Sequence, residues 1–170
     1  LTSVLHLINS DLASSMSNCT VTENSSVSHG SVYASEGKLS VEDCKFSLNT
    51  FEDGDGPGIV AFFTNLNITK SEFKSQVGYN GGFITATFHS NITIEDSTFY
   101  NGSSLFSGGA IYASASSINL TRSLMSLCSS ESGGAICLER AHLNMRDMNL
   151  EGNQATSSGG DLSVYEGTLS

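Results

Sequence analysis

The sequence is poor in several residue types, and each shortage excludes a class of structure or partner. Its 170 residues include one proline, no tryptophan, and only 7 lysine and arginine residues against 17 aspartate and glutamate residues. The formal net charge of −10 argues against nucleic acid or an anionic membrane as partner, because both need a basic face. No apolar run approaches the roughly 20 residues needed to cross a bilayer, so we expect no direct membrane insertion.

The residues that are present suit a folded chain built from repeats. Hydrophobic residues make up 38% of the sequence, which is enough for a core at this length. A search for self-similarity therefore precedes any assignment of helix or strand. Five stretches share one template. Its positions hold, in order, an apolar residue, any residue, an apolar residue, two polar residues, a small residue, any residue and a large apolar residue. The stretches are GKLSVEDCKFSLN, TNLNITKSEFKSQ, HSNITIEDSTFYNG, SSINLTRSLMSLC and AHLNMRDMNLEGN.

The template recurs at a nearly constant interval. Its second apolar position is spaced by 27, 26, 26 and 25 residues, at Val41, Ile68, Ile94, Leu120 and Met145. An earlier copy adds Leu7, 34 residues before Val41, and we interpret residues 19–29 as an extra loop that lengthens this first interval. The large apolar position follows five residues later in each copy, at Leu12, Phe46, Phe73, Phe99, Met125 and Leu150. A small polar column is predicted at Ser10, Cys44, Ser71, Ser97 and Ser123.

A second motif, a glycine followed by an alternating run, lies between these copies. Its glycines are Gly30, Gly58, Gly82, Gly109, Gly134 and Gly160. Two residues later comes a branched apolar side chain, at Val32, Val60, Ile84, Ile111, Ile136 and Leu162. A further two residues later comes another apolar side chain, at Ala34, Phe62, Ala86, Ala113, Leu138 and Val164. A period of two predicts strands with one face inward.

Equivalent strands run in the same sense through every copy, which excludes hairpins and predicts parallel stacking. The expected fold is all-β, a right-handed parallel β-helix of about six coils of roughly 26 residues, with 1–170 as one segment. Coils stacked at about 4.8 Å would form a rod about 30 Å long. Neither end has a polar cap, so we expect a fragment of a longer protein, whose ends are covered by further coils or by other protein chains. Among the column residues, we expect these to be buried: Val41, Ile68, Ile94, Leu120, Phe46, Phe73 and Phe99.

Two short motifs carry a family resemblance. GGAI occurs at Gly108 to Ile111 and at Gly133 to Ile136, and F-x-x-N occurs at Phe46 to Asn49. Together they resemble the repeats of the chlamydial polymorphic outer-membrane proteins. Similar repeats are scattered among surface proteins of protists, algae and other eukaryotes. The resemblance implies a right-handed β-helix used in adhesion or surface display.

Six asparagines lie in N-x-S/T sequons, which accept N-linked glycans in secreted eukaryotic proteins. They are Asn18, Asn24, Asn67, Asn91, Asn101 and Asn119. We therefore expect an extracellular or cell-surface glycoprotein. Asn67 and Asn119 alternate with apolar neighbours, so their side chains should face solvent.

The four cysteines fit no zinc pattern and leave two alternatives open. In an oxidising compartment we expect Cys19 to pair with Cys44 and Cys128 to pair with Cys137. The alternative is that all four are unpaired thiols that pack as small hydrophobic residues.

Candidate chemical sites are weak, and we predict no catalytic residue, no cofactor and no metal. The best carboxylate group is Glu42, Asp43, Glu95 and Asp96 with Lys70 between them, but the two pairs should lie about 10 Å apart on a solvated turn. The motif around His29 lacks the acidic partners of a glycosidase. Three acidic residues could supply calcium ligands or form a plain acidic loop: Glu52, Asp53 and Asp55.

Three classes of function remain. A structural or adhesive extracellular scaffold needs only the features above, and it is our expectation. A polysaccharide-processing enzyme, lyase or glycosidase, is the first alternative. A carbohydrate-binding β-helix that contacts cell-surface glycans is the second, with Tyr33 and Tyr112 as outward aromatic residues on one face.

Overall fold

The computed structural model describes residues 5–8, 13–26, 30–51 and 56–170, and these contain strands but no helix. Every strand pair in the described part of the chain is parallel. Ile68 pairs with Ile94 and Ile94 with Leu120, so equivalent residues of neighbouring coils lie about 26 positions apart. The chain is therefore an all-β parallel solenoid of about six coils, which confirms the predicted fold class.

Three parallel sheets form the walls of the solenoid, and each coil crosses all three. The long sheet contains 12 strands: Leu5–Ile8, Ala13–Ser17, Val32–Glu42, Ile59–Thr69, Ile84–Thr87, Asn91–Glu95, Ile111–Ser114, Ser117–Thr121, Ile136–Glu139, His142–Arg146, Leu162–Tyr165 and Thr168–Leu169. The second sheet contains Thr20–Thr22, Lys45–Ser47, Glu72–Lys74, Thr98–Tyr100, Leu124–Ser126 and Asn149–Glu151. The third sheet contains Ser25–Ser26, Thr50–Phe51, Val77–Asn80, Ser103–Ser107, Ser129–Ser132 and Gln154–Ser158.

The core consists of columns in which like residues stack on like. Phe46, Phe73 and Phe99 form a continuous stack with ring centroids 4.7 and 4.8 Å apart and planes within 5° and 7° of parallel. The seven residues predicted to be buried are all at most 1% exposed, which confirms that prediction. Because each ring covers the next, the core runs unbroken along the solenoid axis.

The predicted register of the first coil is wrong. Met16 pairs with Val41, whereas Leu7 pairs with Ala34 in the other half of the long sheet. The first coil therefore has the usual length, and the residues predicted as an extra loop include the strands Thr20–Thr22 and Ser25–Ser26. Val21, paired with Phe46, takes the place in the large apolar column that was predicted for Leu12. Ser10 and Leu12 lie outside the described residues.

The glycine motif is also shifted by one residue at Gly58. Ile59 pairs with Val32 and Ile84, so Ile59 faces inward and Val60 faces outward. Likewise Ala61 is buried while Phe62 is half-buried on the outer side. Because the five successive apolar residues 59–63 are compatible with either phase, alternation could not fix the register there, and a slip of one residue exchanges the two faces.

Three of the corners between strands are turned by residues with positive φ, nearly all of them not glycine. The first corner, within the long sheet, uses Glu36, Phe63, Phe88, His89, Ala115, Arg140 and Glu166. The second corner, which leads to the second sheet, uses Asn18, Asp43, Lys70, Asp96, Arg122 and Asp147. The third corner, which leads to the third sheet, uses Glu23, Leu48, Ser75, Asn101, Leu127 and Gly152. Their side chains project from the wall, so each corner tolerates many residue types.

Inside the second corner, serine side chains link successive coils. The Ser71 hydroxyl donates to the Thr69 carbonyl at 2.9 Å and accepts the backbone N–H of Cys44 at 3.1 Å. Ser97 and Ser123 repeat this pattern on the following coils. The corner would otherwise leave a buried N–H unpaired, so these bonds explain why the small column is polar.

Asparagine side chains link successive coils inside the third corner, and we call this set of hydrogen bonds the asparagine ladder. The Asn49 amide nitrogen donates to the Val21 carbonyl at 3.0 Å, and its oxygen accepts the Asn24 backbone N–H at 3.0 Å. Asn153 makes the equivalent bonds with Met125 and Cys128. The motif F-x-x-N therefore combines a stacked ring with an asparagine that ties its coil to the preceding one.

Replacing Asn49 with alanine is expected to lower the free energy of unfolding by about 3 kcal/mol, because two backbone groups lose their partners in a buried corner. The matched control is Asn65→Ala, an exposed asparagine on the long sheet, which should change stability by at most about 0.5 kcal/mol. Chemical denaturation of both variants measures the difference. Equal losses would contradict the ladder.

Candidate functional site

Three of the four predicted carboxylates at the second corner, Glu42, Glu95 and Asp96, are paired with cations from neighbouring coils, whereas Asp43 forms no ion pair within the described residues. Lys70 lies 3.5 Å from Glu42, and Arg122 bonds Asp96 at 2.9 Å and also contacts Glu95. The hydrogen bond from Arg122 holds the pKa of Asp96 below its ordinary value, so this carboxylate stays ionised. These contacts describe a solvated ladder of alternating charge.

The structure offers no metal-binding cluster of three or more His, Cys, Asp or Glu side chains within the residues it describes. Those residues also contain no helix long and apolar enough to cross a membrane. The acidic segment considered for calcium, with Glu52, Asp53 and Asp55, lies outside the described residues, as does His29.

All four cysteines are free thiols. Cys19 and Cys44 occupy equivalent places inside the second corner, and each thiol donates to the carbonyl two residues earlier at 3.3 Å. Cys128 occupies the asparagine place of the third corner, whereas Cys137 lies on the outer side of the long sheet between Tyr112 and Ser163. Because Cys128 faces the core and Cys137 faces outward, the predicted Cys128–Cys137 bond does not fit this arrangement.

Burial makes the cysteines poorly reactive. It raises the pKa of Cys128 to about 11 and also raises the pKa of Cys44 and of Cys137 above the ordinary value. A thiol with a raised pKa has little thiolate at neutral pH, and the thiolate is the nucleophile. None of these three thiols is therefore suited to nucleophilic catalysis.

The sequon asparagines divide into two groups. All six are exposed or half-buried, and five of them take no part in the asparagine ladder: Asn18, Asn67, Asn91, Asn101 and Asn119. Asn67 and Asn119 point outward between buried neighbours, as predicted. Asn24 differs, because its amide nitrogen donates to the Asn49 side chain at 2.9 Å and to the Thr22 carbonyl at 3.1 Å. Asn24 is therefore part of the asparagine ladder.

Tyr33 and Tyr112 do lie in one outward column, three coils apart. They do not form an open aromatic platform. Tyr112 is half-buried and its hydroxyl donates to Glu139 at 2.9 Å, while burial raises the pKa of the phenol. Thr85, which lies in the same column, is fully buried.

A groove runs along the first corner and was not predicted. Its volume is about 460 Å³, and its floor is Ala115, the smallest of the residues that turn this corner. His89 and Asn91 line one side, and Arg140 and His142 line the other, with Glu166 beyond them. Strand register places these residues on successive coils, so the groove follows the solenoid axis.

One end of the groove adjoins an exposed aromatic cluster. Phe63 and Phe88 are 45% and 52% exposed, and the Phe88 ring lies 4.4 Å from the half-buried Phe62. The ring of His89 lies 6.4 Å from that of Phe63, which joins the cluster to the groove.

The coil that contains Phe88 turns the first corner with two successive positive φ angles, 53° at Phe88 and 61° at His89, where the other described coils use one residue. A single positive φ is usual at these corners, but two in succession add conformational strain at this one.

Arg140 and Glu166 are the charged groups of the groove. Neither side chain forms a hydrogen bond or an ion pair within the described part of the chain, although the charged residues of the second corner pair with each other. His142 hydrogen-bonds with Thr168 at 2.7 Å, which orients its ring on the groove side. The groove thus presents a free guanidinium and a free carboxylate.

Comparison with protein-family models, with curated proteins and with solved structures found no match to this chain. The functional argument therefore depends on the geometry of the solenoid itself.

Proposed function

We propose that this chain is part of an extracellular or cell-surface scaffold, a structural or adhesive β-helix that displays residues on its outer walls. The observation that carries this proposal is that, within each coil, the residues that build the core are separate from those that face solvent. Inward residues form the apolar columns and the hydrogen-bonded ladders, whereas the corner residues project outward and differ from coil to coil. Such a wall presents different side chains to a partner without altering the core.

The resemblance to the chlamydial outer-membrane repeats supports this proposal through the physical role of its motifs. The glycines of GGAI lie where successive coils approach too closely for a side chain, and the Phe and Asn of F-x-x-N supply the ring stack and the ladder. The shared motifs are therefore motifs of coil stacking, and surface display is the use that the resemblance implies.

Secretion is the second part of the proposal. Exposed sequons on several outer faces can carry glycans without disturbing the core, and these include Asn67 and Asn101. In an oxidising compartment Cys19 and Cys44 would be joined, because equivalent residues of adjacent coils lie about 4.8 Å apart, within the Cα range of disulfides. Forming this bond releases two electrons and two protons. A small disulfide such as oxidised glutathione would accept them by thiol–disulfide exchange.

Partners are expected where apolar side chains remain exposed. Val164 and Leu169 are 37% and 53% exposed, although Leu138 and Leu143, their partners on the preceding coil, are buried. Another protein chain would cover such a surface as each coil covers the one before it.

Peptide mapping of protein from its native source, without reduction, tests the proposal. We expect N-linked glycans on Asn67 and Asn101, none on Asn24, and a linked peptide that contains Cys19 and Cys44. Asn24 is the internal control, since its sequon is intact but its amide nitrogen donates two hydrogen bonds within the asparagine ladder, whereas that of Asn101 makes one bond of 3.3 Å to the Ser75 hydroxyl. Protein without a glycan on any sequon would overturn the extracellular assignment.

A further inference from the structure

We propose that the groove of the first corner binds a neutral oligosaccharide that lies along the solenoid axis. The inference rests on the proposed function, because an adhesive protein at a cell surface needs a ligand there. The groove crosses four successive coils, from His89 to Glu166. Three steps of about 4.8 Å give a length of about 14 Å, which suits an extended chain of a few repeated units.

The lining has the chemistry of a sugar site. Arg140 supplies planar donors and Glu166 supplies acceptors, and both are free to bind adjacent hydroxyl groups. Asn91 and Ser117 add amide and hydroxyl groups from the strand that follows the corner. Ligand sites combine a few such convergent polar groups with aromatic or apolar surface, as this groove does.

The exposed rings supply the aromatic surface. Phe63 and Phe88 stand at the end of the groove with about half of each side chain open to solvent. The apolar face of a pyranose ring can pack on such a ring while its hydroxyl groups remain available to the polar lining. The inserted residue His89, with its strained backbone, connects the two parts of the site.

Charge selects a neutral ligand. One arginine and one glutamate line the groove, so with neutral histidines the lining has no formal net charge. The whole chain carries a formal net charge of −10, which repels uronates and sulfated sugars. A neutral glycan is not repelled by the negative net charge of the chain, and the groove has no excess charge that such a ligand would leave unpaired.

The site conflicts with one of the six sequons. Asn91 lines the groove, so a glycan attached there would fill it. The groove therefore requires that Asn91 remain unmodified in native protein, although its side chain is exposed and its sequon is intact. A glycan found on Asn91 would overturn the inference.

Binding is tested by calorimetric titration of the protein with neutral oligomers of glucose, mannose, galactose and N-acetylglucosamine, and with uronic-acid oligomers for comparison. We expect at least one neutral oligomer to bind. Ala115→Arg should abolish this binding by filling the floor, and the corner accepts arginine at the equivalent Arg140. Phe88→Ala should weaken binding at least about tenfold. Leu127→Arg, at an exposed residue of the third corner, is the matched control and should leave binding unchanged.

Three results would overturn the site: no neutral oligomer binds, an acidic oligomer binds more tightly, or Ala115→Arg binds as well as the wild type. Failure of the site and failure of the scaffold are distinguishable. Glycans on Asn67 and Asn101 together with an empty groove would reject the site alone, whereas sugar binding by a chain without glycans on any sequon would reject the extracellular assignment.

Discussion

Replacing Phe73 with alanine is expected to lower the free energy of unfolding by about 4 kcal/mol. The ring is fully buried and lies between those of Phe46 and Phe99, at 4.7 and 4.8 Å. Phe83 closes a third side at 6.0 Å. The neighbours cannot collapse into the space, because strand register fixes their distance along the axis, so the variant loses the buried area and also keeps a cavity.

Phe88→Ala is the control for Phe73→Ala. It removes the same side chain from a position that is 52% exposed, and we expect it to cost less than about 1 kcal/mol. Urea denaturation followed by circular dichroism measures both variants against the wild type. Losses of similar size would show that the phenylalanine column does not support the fold.

The fold could be predicted from the sequence because the repeat is regular. Side chains equivalent to Ile68 and Phe73 recur at nearly constant spacing, and only parallel stacking places them in columns. The predicted strand register was wrong where the sequence pattern fitted two alignments equally well. Around Ile59 both phases of the strand are apolar, and in the first coil Leu7 fitted the template as well as Met16, which is the residue that pairs with Val41.

The ladders were visible in the sequence only as a small polar column. Their physical reason is a backbone N–H that turns inward at each corner, and this becomes apparent only when the next coil is in place. The same requirement for a polar group inside the corner explains where two of the cysteines lie. Cys44 and Cys128 occupy ladder positions, where their thiols take the place of a serine hydroxyl and an asparagine amide.

The groove was missed because it depends on differences between coils. One signal was present in the sequence. The inward residues on the two sides of the first corner are eight positions apart at Ile84 and Ile92, but seven apart at Ile111 and Ile118, and this extra residue creates the strained turn at His89. Tyr33 and Tyr112 were correctly predicted to face outward, but outward orientation alone did not make them an exposed aromatic surface.

The central claim is that each coil is built by direct contact with the next, and two glycine variants of the 170-residue chain test it most directly. Gly134 and Gly160 occupy the same place on successive coils. A methyl group at Gly134 would collide with the Gly160 carbonyl and lie 2.6 Å from backbone atoms of Gln154, whereas at Gly160 the nearest atom, the Asn153 carbonyl oxygen, is 3.8 Å away. Neither glycine has a positive φ, so the two substitutions differ in packing alone.

The measurement is the free energy of unfolding of Gly134→Ala and Gly160→Ala by chemical denaturation. We predict a loss of about 3 kcal/mol or more for Gly134→Ala, because backbone cannot move aside as a side chain can, and a change within about 0.5 kcal/mol for Gly160→Ala. Equal effects of the two substitutions, or a Gly134→Ala variant as stable as the wild type, would contradict stacked coils.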